Sequence, residues 1–187
     1  MKRIIALILL VIFIAAGCAT WVAVKGKYPM RSQNFEVEIP DGWMRFNATQ
    51  KALVLTRDGL SLQQIQIMRR AVDLELPHTK KKLSKEMMPQ EISEVVIDNI
   101  RSNPNIMNQQ FIQNTPARIG GFDGIKLVYT YQTKNGLTKK GINYCFVLGS
   151  WCYEIIYEAA ERHYFVKDFA AFEQVVESFR LIDATVS

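Results

Sequence analysis

Short turn signals between runs of strand-forming residues constrain the fold more than any other feature of this sequence. Asp58-Gly59 and Asn135-Gly136 each lie between such runs, and Gly149-Ser150 precedes another one. These dipeptides tolerate the positive φ angles of tight turns, which join neighbouring strands in antiparallel order. Gly120-Gly121 is expected to form a further tight turn. The sequence therefore predicts a mainly antiparallel sheet.

The strands show the alternation that is typical of half-buried elements. Phe35, Val37 and Ile39 alternate with glutamates, and Pro40 with Asp41-Gly42 is expected to end this first strand. The run after Asp58-Gly59 predicts the second arm of a hairpin, with Gln63-Gln64 as a candidate bulge and with these residues nearly alternating: Leu60, Leu62, Ile65 and Ile67.

Two segments change from strand spacing to helical spacing. The first follows Pro89, which suits the start of a helix, and its spaced residues are Ile92, Val95, Val96, Asn99 and Ile100. The second follows Asp168, the expected N-cap, and its apolar stripe consists of Phe169, Phe172, Val175, Val176 and Phe179. We expect the second stripe to dock on the sheet.

The predicted fold class is α+β, a twisted, mainly antiparallel sheet flanked by helices, in a single domain over residues 34–187.

The N-terminus has the layout of a secretory signal. Lys2 and Arg3 precede an uncharged run, and the small residues Ala15, Ala16 and Gly17 come directly before Cys18. The segment resembles the bacterial lipobox, although the family prefers Leu where Ala15 stands. The resemblance implies that residues 1–17 are a signal peptide that is removed, and that Cys18 is lipidated and becomes the new N-terminus.

The lipobox implies a lipid-anchored protein of the cell envelope, with the membrane as its first partner. Residues 18–33 contain Gly26, Pro29 and Ser32 without clear periodicity, and they are predicted to be a short lipidated tether. In a diderm, Ala19 is not the Asp that retains lipoproteins in the inner membrane, so the outer membrane, on its periplasmic side, is the expected site. The alternative is an uncleaved single transmembrane anchor, because residues 4–24 form about 31 Å of helix.

The charge of the chain does not favour nucleic acid as a partner. Loss of Lys2 and Arg3 with the signal segment lowers the formal net charge from +5 to +3, and no basic stripe is interleaved with aromatic residues. One dense basic run consists of Lys80, Lys81, Lys82 and Lys85. It is interpreted as a solvated face, with anionic headgroups or an acidic partner as the alternative.

Residues that carry chemistry are sparse. His78 and His163 are isolated, without a second ligand at metal-binding spacing, and they are interpreted as surface histidines. The sequence contains no G-x-S-x-G, G-x-G-x-x-G or P-loop motif. We therefore expect no catalytic residues, no metal site and no cofactor, and we do not expect an enzyme.

Aromatic residues crowd the expected strands. Tyr129 and Tyr131 share one face because they lie two positions apart, and a second row contains Trp151, Tyr153 and Tyr157. Tyr144 and Phe146 belong to the same region. These residues form either cross-strand pairs beneath a helix or a concave face for a ligand, and the sequence leaves both open.

Two short motifs resemble the PsbP-like α/β sandwich, a family related to an extrinsic subunit of photosystem II. Phe35, Ile39, Pro40 and Trp43 match its opening pattern F-x-V-x-[IV]-P-x-x-W, and the ending resembles Val175, Val176, Ser178 and Phe179. The resemblance covers residues 34–183, and it implies an antiparallel sheet flanked by helices. Known members are mostly accessory or assembly factors of membrane complexes, and none of the matched residues does chemistry.

Cys145 and Cys152 are a candidate disulfide because they lie at the two ends of a predicted hairpin. With Leu148-Gly149 as the loop, Cys145 faces Cys152 at a distance that suits a bridge, and an export compartment would oxidise the pair. With Gly149-Ser150 as the loop, Val147 faces Cys152, and the two sulfur atoms are expected on opposite faces. The alternative is two buried free thiols.

These observations predict a membrane-anchored envelope lipoprotein that acts as a non-catalytic binding, assembly or accessory module. Its partner is expected to be an envelope protein. The alternatives are a carrier of a small apolar ligand, held between the sheet and the C-terminal helix, and a hydrolase or transferase with an unrecognised site. An enclosed cavity above roughly 300 Å³ with convergent polar groups would favour the alternatives, and a solid core with an exposed apolar patch would favour the first hypothesis.

Overall fold

The computed structural model describes residues 20–182, which form one antiparallel sheet with a helix packed on each face. The sheet order is β1-β2-β3-β4-β8-β7-β6-β5, with β9 paired to β2, and it confirms the predicted fold class. The strands are β1 (Trp21–Met30), β2 (Phe35–Phe46), β3 (Leu53–Thr56), β4 (Gln63–Ala71), β5 (Ile106–Ile119), β6 (Phe122–Thr133), β7 (Thr138–Leu148), β8 (Trp151–Ala160) and β9 (Arg180–Leu181).

The sheet begins at Trp21, inside the segment that the sequence predicts as a tether. β1 pairs with β2 from Trp21 opposite Phe46 to Met30 opposite Phe35, so the tether prediction is wrong for residues 21–30. The pattern is hard to recognise because β1 is an edge strand, mostly exposed, with a register shift before Gly26. The lipobox, Cys18 and the signal segment lie outside the described residues. Within residues 20–182, no helix has the length and apolarity needed to cross a bilayer.

The hairpin at Asp58-Gly59 is confirmed, but its turn is longer than two residues. Leu60 and Leu62 lie in the loop, and Gln63 pairs regularly with Ala159, so the predicted strand start and bulge are wrong. The loop closes on the Thr56 hydroxyl, which accepts from the Gly59 amide at 3.0 Å and donates to the Gln63 carbonyl at 2.7 Å. This local bonding replaces a two-residue turn.

The glycine turns at Gly120-Gly121 and Gly136 are found where the sequence predicts them, whereas the stop predicted at Pro40 and Asp41-Gly42 is wrong because β2 runs from Phe35 to Phe46. Gly120 and Gly121, both at positive φ, join β5 to β6 directly because Ile119 pairs with Phe122. Gly136, at φ 82°, turns β6 into β7, and its amide donates to the Thr133 carbonyl at 2.8 Å. Only glycine adopts this left-handed region without strain, which is why these positions fix the hairpins.

The turn between β7 and β8 consists of Gly149 and Ser150, so Val147 pairs with Cys152 and Cys145 pairs with Glu154. The register with Leu148-Gly149 as the loop is therefore wrong. The expectation that the other register separates the two sulfur atoms is wrong too. Cys145 lies two positions from Val147 and shares its face, so Cys145 and Cys152 are diagonal neighbours on one face.

Both cysteines are buried as free thiols, with their Sγ atoms 3.2 Å apart. The hydrogen bond between the thiols and the burial of the site raise the pKa of Cys145 well above its usual value. The bridge in an oxidising compartment stays a prediction, and thiol labelling of the denatured, unreduced protein tests it. Two reactive thiols per chain would exclude the disulfide.

Helix α1 (Pro89–Arg101) confirms the first helical segment. Pro89 is the first helical residue, and the Glu91 carboxylate accepts the Met88 amide at 2.7 Å, which satisfies one free donor of the helix start. The helix buries one side against β5, β6 and β7, through Ile92, Val95, Val96 and Ile100.

Helix α2 (Tyr164–Ser178) confirms the second segment but begins earlier than the sequence predicts. Asp168 is therefore not the N-cap; it lies inside the helix, 1% exposed, and binds Arg57 at 3.2 Å and Gln63 at 2.9 Å. Phe172 is fully buried, as expected, whereas Phe169 is 36% exposed and is not part of the core. The buried face of α2 consists of Phe165, Asp168, Phe172, Val175 and Val176, and Phe169 lies at its edge.

Successive side chains along the strands point to opposite faces of the sheet, and they form two hydrophobic clusters, one beneath each helix. The α2 cluster contains a series of aromatic rings, including Tyr157 stacked on Phe172 at 5.1 Å and Phe146 stacked on Tyr153 at 5.0 Å. The α1 cluster is smaller and contains both cysteines. These rings pack in the space between α2 and the sheet, which does not favour the alternative of an apolar ligand held there.

Candidate functional site: a groove between helix α1 and the sheet

A groove of about 400 Å³ lies on the α1 side of the sheet. Its floor is formed by β4, β8, β7 and β6, and its rim by the second half of α1 and the segments on either side of it. This volume is in the usual range of small-molecule sites. The polar lining residues are Gln66, Arg70, His78, Asn99, Asn103, Asn105, Tyr129, Tyr131, Thr133, Asn143, Glu154 and Glu158.

The floor contains a buried pair of polar side chains from adjacent strands. Asn143 on β7 is 3% exposed, Glu154 on β8 is 8% exposed, and the Asn143 Nδ2 donates to Glu154 Oε1 at 3.1 Å. A carboxylate only accepts, so this bond assigns the nitrogen of the amide to the Glu154 side. The Asn143 Oδ1 is then left without a hydrogen-bond partner, although it is buried. Such an unsatisfied acceptor costs free energy in a protein without ligand.

A second carboxylate, Glu158, is held in place from two sides. The Tyr129 hydroxyl donates to its Oε1 at 3.1 Å, and the Gln64 Nε2 donates to its Oε2 at 2.9 Å. Tyr129 reaches Glu158 because the intervening strand carries Gly141, where a Cβ atom would lie 2.5 Å from the Tyr129 Cζ. Because Gly141 has no side chain, the Tyr129 ring can lie across the groove floor.

Tyr129 and Tyr131 keep their protons in this environment. Burial, followed by the charge of Glu158, raises the pKa of Tyr129 well above its usual value and raises that of Tyr131 as well. Their rings stack with centroids 6.0 Å apart. The groove therefore presents two neutral aromatic rings beside two carboxylates.

The far end of the groove carries a positive group. Arg70 lies on β4 opposite Cys152, and its Nε is buried without a hydrogen-bond partner. None of the ion pairs of residues 20–182 joins Arg70 to Glu154 or Glu158. On the rim, the Asn99 Oδ1 accepts the backbone amide of His78 at 2.9 Å, which joins α1 to the preceding segment. The groove is thus acidic at its centre and basic at one end.

The sequence predicted part of this lining. The alternative of a ligand face describes Tyr129 and Tyr131, whereas Tyr144, Phe146, Tyr153 and Tyr157 form the core beside α2. His78 was expected on the surface, yet it is half-buried at the rim; His163 is exposed and precedes α2. Asn143, Glu154 and Glu158 were missed, although glutamates inside the apolar run of β8 are a signal of buried charge.

Other candidate residues form no site. The basic run lies in the connection between β4 and α1, where Lys80, Lys81, Lys82 and Lys85 are exposed and Lys81 pairs with Asp98. In the part of the chain that the structure describes, no group of three or more His, Cys, Asp or Glu side chains could hold a metal ion.

The strand order and the helix on each face define a PsbP- and Mog1-like α+β fold. No protein-family model matches the sequence. A search of curated proteins finds no match either. The likeness is therefore to solved structures, at identities that show the fold alone.

Three similar structures cover most of this chain. Cyanobacterial PsbP (CyanoP) from Synechocystis sp. PCC 6803 matches 89% of the chain and 95% of its own length, at 13% identity and a TM-score of 0.56. The Ran-binding protein Mog1p of Saccharomyces cerevisiae matches 88% and 98%, at 9% identity and a TM-score of 0.56. LpqN of Mycobacterium tuberculosis, which is involved in cell envelope biogenesis, matches 86% and 90%, at 14% identity and a TM-score of 0.55. The chain spans half the length of a Bacteroides thetaiotaomicron protein that it matches at 13% identity and a TM-score of 0.53.

Proposed function

We propose that this chain is a lipid-anchored envelope protein whose domain is a non-catalytic binding module, with the groove as its binding site. The observation that carries the proposal is the groove floor, where buried polar groups converge in an open space of about 400 Å³. Buried polar atoms without a partner are costly, so a protein that keeps them at the floor of an accessible groove is organised to receive a ligand.

The envelope location is supported by two independent features. The N-terminal sequence resembles a signal peptide with a lipobox, in which Cys18 takes the lipid. The fold is shared with LpqN, whose role is in cell envelope biogenesis. We propose the outer membrane on its periplasmic side in a diderm, with a single N-terminal transmembrane anchor as the alternative.

A binding role is favoured over catalysis by the chemistry of the groove. His78 is the histidine of the lining, and within residues 20–182 its ring forms no hydrogen bond to a carboxylate or hydroxyl that it would activate. The serines and cysteines of the described chain do not line the groove. Mog1p, which shares the fold, is a Ran-binding protein, and this is compatible with a binding role. A hydrolase or transferase with an unrecognised site is the alternative.

Photo-cross-linking in intact cells tests the binding role. A photoreactive residue replaces Asn105, which is exposed at the groove rim, and a matched variant carries it at Gln174, which is exposed on α2. We expect a defined adduct from position 105 that is absent from position 174. Equal labelling at both positions, or none at 105, would contradict a binding role for the groove.

The anchor is tested separately with Cys18→Ser. The substitution removes the thiol that takes the lipid, so we expect unprocessed precursor and loss from the detergent phase. Intact mass of the wild-type protein is the direct measurement. A mature form that still begins at Met1 would exclude the lipoprotein hypothesis and favour the transmembrane anchor.

A further inference from the structure

We propose that the groove recognises an ammonium group, held between the Glu154 carboxylate and the Asn143 side-chain carbonyl. This inference rests on the proposed function and names the chemical class of its ligand. It follows from three features of the floor: a buried carboxylate without a cation, a buried acceptor without a donor, and aromatic walls.

Glu154 lacks a positive partner. It is 8% exposed, and none of the ion pairs of residues 20–182 includes it. Removal of a carboxylate from water is expensive unless a cation or several donors replace the lost hydration, and here the one protein donor is Asn143. A cation bound in the groove would supply the missing charge.

Asn143 specifies the kind of cation. Its amide nitrogen is used by Glu154, so its buried Oδ1 is a free acceptor close to the same carboxylate. The site therefore offers two neighbouring acceptors and needs a group with several donors and no acceptor. An ammonium group has this chemistry. A divalent metal ion requires more ligands than the described residues bring together.

The walls fit the same group. Tyr129 and Tyr131 are neutral, and aromatic rings attract cations at their faces. The nearby protein amine does not fill the site, because Lys139 Nζ donates to the Leu60 carbonyl at 3.2 Å. Arg70 is a half-buried lining residue two positions along β4 from Met68, which faces Glu154, and its positive charge suits a ligand that also carries a carboxylate or another acceptor.

The test uses the full mature chain in detergent and three probes that share a four-carbon chain. 4-Aminobutanoate carries both charges, butylamine carries the ammonium alone, and butanoate carries the carboxylate alone. Isothermal titration should rank 4-aminobutanoate above butylamine and show no binding of butanoate. Binding of butanoate without butylamine, or of calcium ions in place of the amines, would overturn the proposal.

Glu154→Gln is the informative variant because it keeps the shape and an acceptor but removes the charge. We expect both amines to bind at least about tenfold more weakly. Glu173→Gln on the α2 side is the matched control, and it should bind as the wild type does. Since the ranking of the three probes needs only the wild-type protein, a failure of Glu154→Gln to fold does not remove the test.

The ammonium proposal and the binding proposal fail in distinguishable ways. If position 105 gives an adduct in cells but no amine binds, the groove is a binding site and the ligand class is wrong. If neither is observed, both proposals are wrong.

Discussion

The two faces of the sheet are built from the same strands but are packed in different ways. Beside α2, aromatic rings fill the space, and the one buried carboxylate there, Asp168, is satisfied by Arg57 and Gln63. Beneath α1, a groove remains, and Glu154 has no cation. Buried polar atoms without a partner occur on both faces, since Trp43 Nε1 and Tyr153 OH lie in the α2 cluster. The difference between the faces is therefore in the buried carboxylates: Asp168 has a cationic partner and Glu154 has none.

The largest expected effect on stability distinguishes a buried phenylalanine of α2, Phe172, from a partly exposed one, Phe169. Phe172→Ala should lower the free energy of unfolding by about 3–5 kcal/mol, because the residue is fully buried among aromatic rings. Phe169→Ala, at a partly exposed position, should cost far less. Urea unfolding of both variants measures the difference, and equal midpoints would contradict the assignment of the core face.

On the groove side, Gly141→Ala should cost about 1–3 kcal/mol. The new Cβ would lie 2.5 Å from the Tyr129 Cζ, so the ring must leave its place and lose its bond to Glu158. In a Tyr129→Ala background the same change should be nearly neutral, which a double-mutant cycle measures. An undiminished cost in that background would show that the ring is not the obstacle.

The loss of folding stability at alkaline pH should depend on Tyr129. Its raised pKa means that the folded protein keeps a proton that the unfolded chain releases near pH 10. The stabilisation is therefore complete below about pH 10 and is lost above it, by up to about 1.4 kcal/mol per pH unit for this residue. Tyr129→Phe should give a shallower decline in denaturant midpoints between pH 9 and 11. Parallel curves for the two proteins would contradict the burial of this phenol.

The smallest effect compares the two buried carboxylates directly. Glu154→Gln should leave the free energy of unfolding unchanged or raise it by at most about 1 kcal/mol, because it removes a buried charge without a cation. Asp168→Asn, which breaks the pair with Arg57, should destabilise the protein. Thermal unfolding of the two variants measures this contrast. A clear loss of stability in Glu154→Gln would contradict the view that Glu154 is a buried charge without compensation.

Local patterns predicted the architecture because hairpins and amphipathic helices are encoded within short windows. Asn135-Gly136 and the residues after Pro89 required no knowledge of distant contacts. β1 was missed because an exposed edge strand with a glycine and a proline has little hydrophobic alternation. The start of α2 was placed too late because Asp168 has the chemistry of a cap, whereas its partners, Arg57 and Gln63, lie more than 100 positions away.

The groove could be predicted only in fragments. Tyr129 and Tyr131 are visible as an aromatic pair on one face, but the meeting of Asn143 with Glu154 depends on the register of β7 and β8. Displacing a two-residue loop by one position shifts the cross-strand partners by two places, so residues that would face each other directly become diagonal neighbours. The sequence left two loops open for the hairpin that carries Cys145 and Cys152, and the observed Gly149-Ser150 loop makes them diagonal neighbours, while the disulfide itself stays a prediction.

The early start of β1 limits the distance between the proposed lipid anchor and the folded domain. Trp21 follows Cys18 by three positions, and three Cα–Cα steps span at most roughly 11 Å. If Cys18 carries lipid as proposed, the domain stays within that distance of the bilayer surface and diffuses together with its lipid anchor. Its search for partners is then two-dimensional: molecules in the same leaflet meet it by lateral diffusion, while those fixed to a membrane across the periplasm stay beyond its radius.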